Sequence, residues 1–457
     1  MNAALRPLPA LLQLQRSGLI RSEYRKQVLT RAQIERCSAG NLESAGLVVS
    51  WYVSQTMLEL EEALRQILAE IPAADPETVL LNDSSGRYLA QAITAPIDLP
   101  PFDNSSMDGY AVRSADISGA SGSRPVRLRV TGRIAAGDSG AGKVTEGTCI
   151  RLFTGSPLPQ GADAVVMQED TQVDEDDPAF VQVTDSAKPL ENVRLRGEDV
   201  KKGAPVLSAG ELVNATRSCL LAALGVHQVQ AGRRPVVGLI ATGSELREPG
   251  QTLEEGQIYE SNRVGLASLV EKAGGIPKIF ALVPDSPALT RLALEEGFKN
   301  CDIVITSGGV SVGEMDFVKQ ALEEVGGKLQ FWRVAVKPGR PFAFGRVGTR
   351  ILFGLPGNPV SALVTFLLLV RPALIRWQGG REISLPRHGA VLGEALSNRG
   401  NRRHFVRVKV DSSGQAFQAG VQGSHVLSSL AAANGLVDVP AETVLGAGTT
   451  VQVMHWD

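Results

Sequence analysis

A chain of 457 residues is longer than one hydrophobic core serves, so roughly two to four domains are expected, and 43% apolar residues are enough to fill them. With 46 basic against 48 acidic side chains and a net charge of -2, nothing in the charge balance favours nucleic acid, and that class is set aside. The cysteines Cys37, Cys149, Cys219 and Cys301 lie far apart without C-x-x-C spacing, which argues against a zinc site or a disulfide framework and fits a reducing cytoplasm.

In chain order, residues 1–56 carry seven Arg or Lys against three Glu and little periodicity. They are read as an N-terminal extension, either a flexible basic arm or an untranslated leader with Met57 as the true start. Arg6 and Arg16 interrupt the early apolar tract, so no secretory signal is read there. From Met57 the stripe Leu58, Leu60, Ala63, Leu64, Ile67, Leu68 and Ile71 predicts an amphipathic helix. The loop Pro96 to Val112 is fixed by prolines and then turned by Asp103, Asn104, Ser105, Ser106, Asp108 and Gly109. Its two aspartates either cap turns or, five residues apart on a rigid loop, ligate a hard cation. Short strands at 126–130, 148–153, 164–167 and 180–183 predict a small inserted β domain, with Thr154-Gly155-Ser156-Pro157 and Arg196-Gly197-Glu198-Asp199 as polar turns.

From Arg233 to about Trp377 strands and helices alternate: a strand at 236–241, a helix at 261–273, a strand at 279–283, a helix at 287–298 and a strand at 302–306. That alternation calls for a parallel sheet covered on both faces, a doubly wound α/β domain. Three strands run into glycine-bearing loops: Thr242-Gly243-Ser244-Glu245, Ser307-Gly308-Gly309 and Pro356-Gly357-Asn358. If the strands are parallel neighbours, these loops open on one edge of the sheet, where main-chain amides and helix N-termini receive anions. Arg333, Lys337, Pro338, Gly339 and Arg340 add cations beside that edge, suited to phosphate. The run 360–370, broken by Ser361 and Thr365, reads as a buried helix and not as a bilayer span, so no membrane is expected. Strands at 405–410, 436–440 and 449–453 predict a terminal β-barrel. The expected boundaries are 1–56, 57–232, 233–380 and 381–457.

Gly309-Val310-Ser311-Val312-Gly313 matches G-x-S-x-G between a strand and a helix, the context of a serine-hydrolase elbow. A triad would then need His388, His404, His425 or His455, all in the terminal β region, so the hydrolase is the lesser reading. Neither the dinucleotide fingerprint nor the phosphate-loop motif of NTPases occurs.

Taken together, Pro101 to Ala111, Thr154 to Pro157, Arg196 to Asp199, Thr242 to Leu246, Ser307 to Asp316, Lys337 to Gly339 and Leu355 to Ser361 resemble the molybdopterin molybdenumtransferase family, MoeA and the C-terminal domain of gephyrin. The resemblance runs from about Met57 to the C-terminus, in the family's order and spacing. It implies insertion of molybdate into the dithiolene of adenylyl-molybdopterin with Mg²⁺-dependent release of AMP. By motif it assigns Asp108, Thr154, Asp199, Glu245, Asp285, Asp316 and Lys337, with Asp108, Asp199, Glu245 and Asp316 as metal ligands. Substrate contacts fall on Thr154, Gly155, Thr242, Gly243, Ser307, Gly308, Gly309, Ser311, Gly313, Arg333, Pro338, Gly339, Arg340, Pro356, Gly357 and Asn358. Local departures are Ser244 for the commoner aspartate, Glu260 where Ile-Tyr-Asp is usual, and Arg333 and Arg340 where lysines often stand. The resemblance further implies a homodimer, with molybdopterin adenylyltransferase and molybdoenzymes as protein partners. Its competing reading is a scaffold without chemistry, as gephyrin also serves.

Overall fold

The computed structural model describes residues 57–174, 176–309 and 317–456. Among the described residues two compact units emerge, one made of residues 73–233 and 378–382, the other of residues 57–72, 234–377 and 383–456.

The first unit carries a six-stranded sheet in the order Ala164–Met167, Gly109–Val112, Thr148–Leu152, Val126–Ile134, Phe180–Val183, Thr171–Val173. Side chains alternate across it. Val112, Cys149 and Val166 join one apolar cluster, while their chain neighbours Ala111, Ile150 and Val165 join another. Gly109 is dictated by this packing, because a Cβ there would lie 1.9 Å from the Val166 carbonyl oxygen.

The second unit is built on a six-stranded sheet whose strands are β1 (Val236–Ala241), β2 (Ile276–Ile279), β3 (Ile303–Ser307), β4 (Lys328–Arg333), β5 (Pro341–Val347) and β6 (Arg350–Leu355). Their spatial order is β2-β1-β3-β6-β5-β4, with β2, β1, β3 and β6 mutually parallel and β5 and β4 added antiparallel. Parallel strands must be covered on both faces, and β3 shows why a continuous β-branched run suits them. Ile303 and Ile305 enter the larger core with Phe342, Phe344 and Phe353, while Val304 enters the opposite core with Leu294, Phe298 and Leu322. Those three phenylalanines and Phe331 form a chain of ring pairs with centroids 5.4 to 6.1 Å apart.

The helices are α1 (Leu60–Glu70), α2 (Asn262–Lys272), α3 (Pro287–Asn300), α4 (Phe317–Glu324) and a long helix over Pro359–Trp377 with a wider turn at Phe366–Val370. The long helix is apolar and long enough to cross a bilayer, yet 83% of it is buried inside the protein, which makes it a core helix. Two sequence expectations change. The strand expected at 279–283 lies at Ile276–Ile279, and α1 belongs to the α/β unit instead of the region that follows it, its Leu60, Ala63 and Ile67 packing in the same core as Val237 and Leu266.

At the C-terminus, strands at Arg403–Val410, Gln415–Gln418, Arg387–Leu392, Thr450–Met454 and Gly435–Val439 pair in that order. The last pairs back on the first, closing a five-stranded barrel. The short strand Val336–Lys337 adds to its edge in parallel, Lys337 opposite His404.

Candidate active site

Because β1, β3 and β6 are adjacent and parallel, their carboxyl ends deliver Thr242-Gly243, Ser307-Gly308-Gly309 and Pro356-Gly357-Asn358 to one cleft of about 630 Å³. The loops interlock through the backbone, with Thr242 N–H donating to the Ser307 carbonyl at 3.0 Å and Gly308 N–H to the Leu355 carbonyl at 3.2 Å. Glycine is required at 308, where φ is +89° and a Cβ would meet the Thr242 carbonyl oxygen at 2.4 Å. The N-termini of α2 and the long helix, at Ser261-Asn262 and Asn358-Pro359, border the same space. Such ends present unpaired N–H groups and favour negative charge.

Asn262 is a residue the sequence reading missed. Its Nδ2 donates to Ser307 Oγ at 2.6 Å and to the Gly357 carbonyl at 2.8 Å, so one amide ties α2 to both neighbouring loops. The Gly357 carbonyl accepts only, which fixes the amide's orientation and leaves Oδ1 buried without a partner. Thr242 Oγ1 is buried and unpartnered in the same floor. The sequence signal that would have found Asn262 is its place at the first position of a helix beginning just past the short strand Ile258–Tyr259.

Three carboxylates line the cleft, Glu245, Asp285 and Glu260. Asp285 is held reciprocally by Ser244: the Ser244 N–H donates to Oδ2 at 3.1 Å, and the Asp285 N–H donates to Ser244 Oγ at 3.0 Å. Ser244, shorter than aspartate, thus supplies an acceptor that adds no charge. Glu260 is committed elsewhere, since it accepts from the Arg263 N–H and Nε, both at 2.9 Å, and Arg263 also pairs with Glu248. Ser311, Gly313 and Asp316 lie outside the described residues. His425, weighed earlier only as a triad member, lines the cleft, next to Ser424, whose Oγ receives the Asn358 Nδ2 at 3.2 Å.

Beside this edge Lys337 precedes Pro338 and Gly339, the latter pressed so closely on the long helix that a Cβ would fall 2.2 Å from Thr365 Cγ2. Lys337 and Arg340 are exposed and Arg402 lies near Arg340, none of them paired with a carboxylate among the described residues, while Arg407 is buried and donates to Ser429 Oγ at 2.8 Å and to the Val421 and Gly423 carbonyls at 2.9 and 3.1 Å. Arg402 donates to the Val336 carbonyl at 2.9 Å, and burial together with Arg340 lowers its basicity. Arg333 is partly buried, its backbone carbonyl accepting from the Leu58 N–H at 3.0 Å.

In the other unit, Asp108 Oδ1 accepts from the Thr154 N–H at 2.7 Å and from Thr154 Oγ1 at 2.9 Å. These bonds hold its carboxyl below the usual carboxylate range. Gly155 has φ +83°, which lets that loop turn back. Asp103 accepts from the Arg196 N–H at 2.7 Å, tying the proline-rich loop to the turn that bears the exposed Asp199. Among the described residues no group of three or more His, Cys, Asp or Glu is placed to hold a metal.

A doubly wound α/β domain with its cleft at the carboxyl edge, flanked by a β insertion and a closed barrel, defines a multidomain protein of ligand-binding α/β class. Family models match in sequence: the MoeA N-terminal region (domain I and II) at residues 58–225, a "Probable molybdopterin binding domain" at 238–376, and the MoeA C-terminal region (domain IV) at 389–456. A molybdopterin molybdenumtransferase of Haemophilus influenzae is 38% identical over 404 residues, 87% of this chain and 98% of that protein. Molybdopterin molybdenumtransferase 2 of Mycobacterium tuberculosis is 40% identical over 408 residues, covering 88% and 100%. Among solved structures, the molybdopterin biosynthesis moeA protein from Pyrococcus horikoshii OT3 aligns with a TM-score of 0.75 at 33% identity, covering 88% of this chain and 100% of that one. The chain belongs to the MoeA family of molybdopterin molybdenumtransferases.

Proposed function

We propose that this protein transfers molybdenum, inserting molybdate into the dithiolene of adenylyl-molybdopterin and releasing AMP. The observation that carries the reading is the cleft at the joined ends of β1, β3 and β6, where glycine loops and two helix N-termini face Glu245 and Asp285. Both substrates are anions, so something must offset their mutual repulsion. Loop amides serve that purpose in the cleft, and Lys337, Arg340 and Arg402 serve it beside the barrel. The sulfur ligands come from the pterin, consistent with Cys149 and Cys301 being buried and held above their ordinary thiol range.

Magnesium fits what the cleft offers. Mg²⁺ is ordinarily held by one or two carboxylates together with substrate phosphates and water, and Glu245 and Asp285 supply such a pair. When bound it would neutralise phosphate charge and orient the leaving AMP. Of the four carboxylates that the resemblance assigns to the metal, Asp108 and Asp199 belong to the other unit and Asp316 lies outside the described residues, whereas Glu245 and Asp285 line one cleft. We therefore assign Asp285 to the metal beside Glu245. Homodimerisation, cytoplasmic location, and contacts with molybdopterin adenylyltransferase and molybdoenzymes are further parts of this proposal. The free thiols of Cys149, Cys219 and Cys301 support a reducing compartment. Kinship with named transferases favours this reading over the serine hydrolase and the scaffold.

The test is AMP release from adenylyl-molybdopterin, measured by chromatography with and without molybdate and Mg²⁺. Asp285→Asn, which keeps the shape of the side chain, should lower the rate about 100-fold with an unchanged melting temperature. Wild-type turnover in that variant would overturn the assignment of the cleft.

A further inference from the structure

Two histidines meet at one end of the C-terminal barrel. His388 lies on the strand Arg387–Leu392, opposite Val453 of the antiparallel strand Thr450–Met454, and His455 follows that second strand directly. Ala390, Leu392 and Val453 fill the barrel interior, and side chains two apart share a face, so both imidazoles stand on the inward face where the core ends. Gly435 leaves them room, since a Cβ there would fall 2.2 Å from Val453 Cγ1 and 3.6 Å from His455 Cε1. The ring centroids are 5.2 Å apart and the planes are inclined at 55°, neither a parallel stack nor an edge-to-face pair. His455 Nδ1 lies 2.9 Å from the Asn434 carbonyl oxygen. A carbonyl only accepts, so Nδ1 carries the proton and the lone pair is left on Nε2. Metal-bound histidines are ordinarily oriented in this way, the nitrogen away from the ion donating to a carbonyl. Two imidazoles on one zinc, each nitrogen about 2 Å from the ion at the tetrahedral angle, set their ring centres about 5 Å apart.

We propose that His388 and His455 bind a divalent transition metal ion of the zinc or nickel kind, with His455 Nε2 and a ring nitrogen of His388 as its two protein ligands. Imidazole nitrogen suits such ions, whereas Mg²⁺ demands oxygen. The pair is therefore chemically separate from the cleft, which neither histidine lines. Among the described residues no third His, Cys, Asp or Glu joins it, so water fills the remaining positions. A closed structural site takes four protein ligands, and a site with two exchanges its ion with solvent. The ion clips the strand Arg387–Leu392 to the chain just past Thr450–Met454. It does so at the last rung of that ladder, where the His455 N–H donates to the Pro386 carbonyl at 2.9 Å.

The experiment is calorimetric titration of the full chain with zinc chloride, repeated with excess Mg²⁺ present. Wild type should bind a single Zn²⁺, released by a chelator and indifferent to Mg²⁺. His388→Gln and His455→Gln should each lose at least about tenfold in affinity, since even a change beyond the ligands costs that much. Added Zn²⁺ should raise the melting temperature of wild type and of neither variant, because an ion held only by the native state stabilises it. His388 is exposed, so its variant decides the matter even if His455→Gln weakens the barrel end. Cys219 is an exposed thiol that can also hold zinc, and binding there would survive both substitutions. Unchanged Zn²⁺ affinity in His388→Gln would therefore overturn the proposal. Competition by Mg²⁺ would overturn it as well, by placing the ion on the cleft carboxylates. Absence of Zn²⁺ binding to wild type would reduce the pair to a ring contact and end the proposal without recourse to any variant.

Discussion

Asn262 gives the most direct test of how the cleft is held. Asn262→Ala removes the donations to Ser307 Oγ and to the Gly357 carbonyl, at 2.6 and 2.8 Å. Each such bond contributes about 1 kcal/mol net. The two partners differ, however, because Gly357 is exposed and its carbonyl regains water, while Ser307 is 3% exposed and its hydroxyl does not. The variant also deletes the unpartnered Oδ1, which returns part of the loss. The net cost to stability is therefore about 1 to 2 kcal/mol, a few degrees in melting temperature for a unit of this size. The effect on turnover should be larger, because the loops after β3 and β6 lose their shared tie and a misplacement of about 1 Å can cost 100-fold. A fall of about 10- to 100-fold in kcat/KM for AMP release is expected, together with a raised KM. Asn262→Asp sharpens the test. It keeps size and shape but cannot donate, and it sets a negative charge where anions are to bind, so it should do at least as badly as alanine. If Asn262→Asp turned over like wild type, the amide would be no clamp and the reasoning would fail.

Gly308→Ala should disable the cleft, since its Cβ would meet a backbone oxygen at 2.4 Å in a conformation that β-carbon residues avoid; a fully active variant would show that the loop after β3 is not held as described. Thiol labelling of the native protein should modify Cys219, which is exposed, well before Cys149, whose thiol burial pushes up to about 12, or Cys301. Equal labelling rates for Cys149 and Cys219 without denaturant would contradict that burial.

Sequence legibility followed the range of the interactions that fix each residue. β1, β3 and β6 could be read directly because a strand buried on both faces is written as a continuous apolar run, and turns of positive φ are written as glycine. The same signal misplaced β2. Ile276 and Ile279 belong to that edge strand and are 45% and 54% exposed, whereas Phe280 and Val283 beyond it are buried, so the apolar run followed burial and not the ladder. For α1 the stripe showed that one face is covered but could not say by what. Asn262 was invisible because its partners lie 45 and 95 positions away, and no local pattern encodes them. Glu260 carries the argument a step further. It stands where the resemblance expects an aspartate, yet its longer side chain reaches the Arg263 backbone N–H and guanidinium, which places the carboxylate inside an ion pair that is 3% exposed on both sides. A motif reports which residue types share a loop, but whether a carboxylate faces ligand or framework depends on a cation three residues further on. That dependence is why Asp285, held in place by Ser244 on the cleft wall, is the stronger candidate for chemistry.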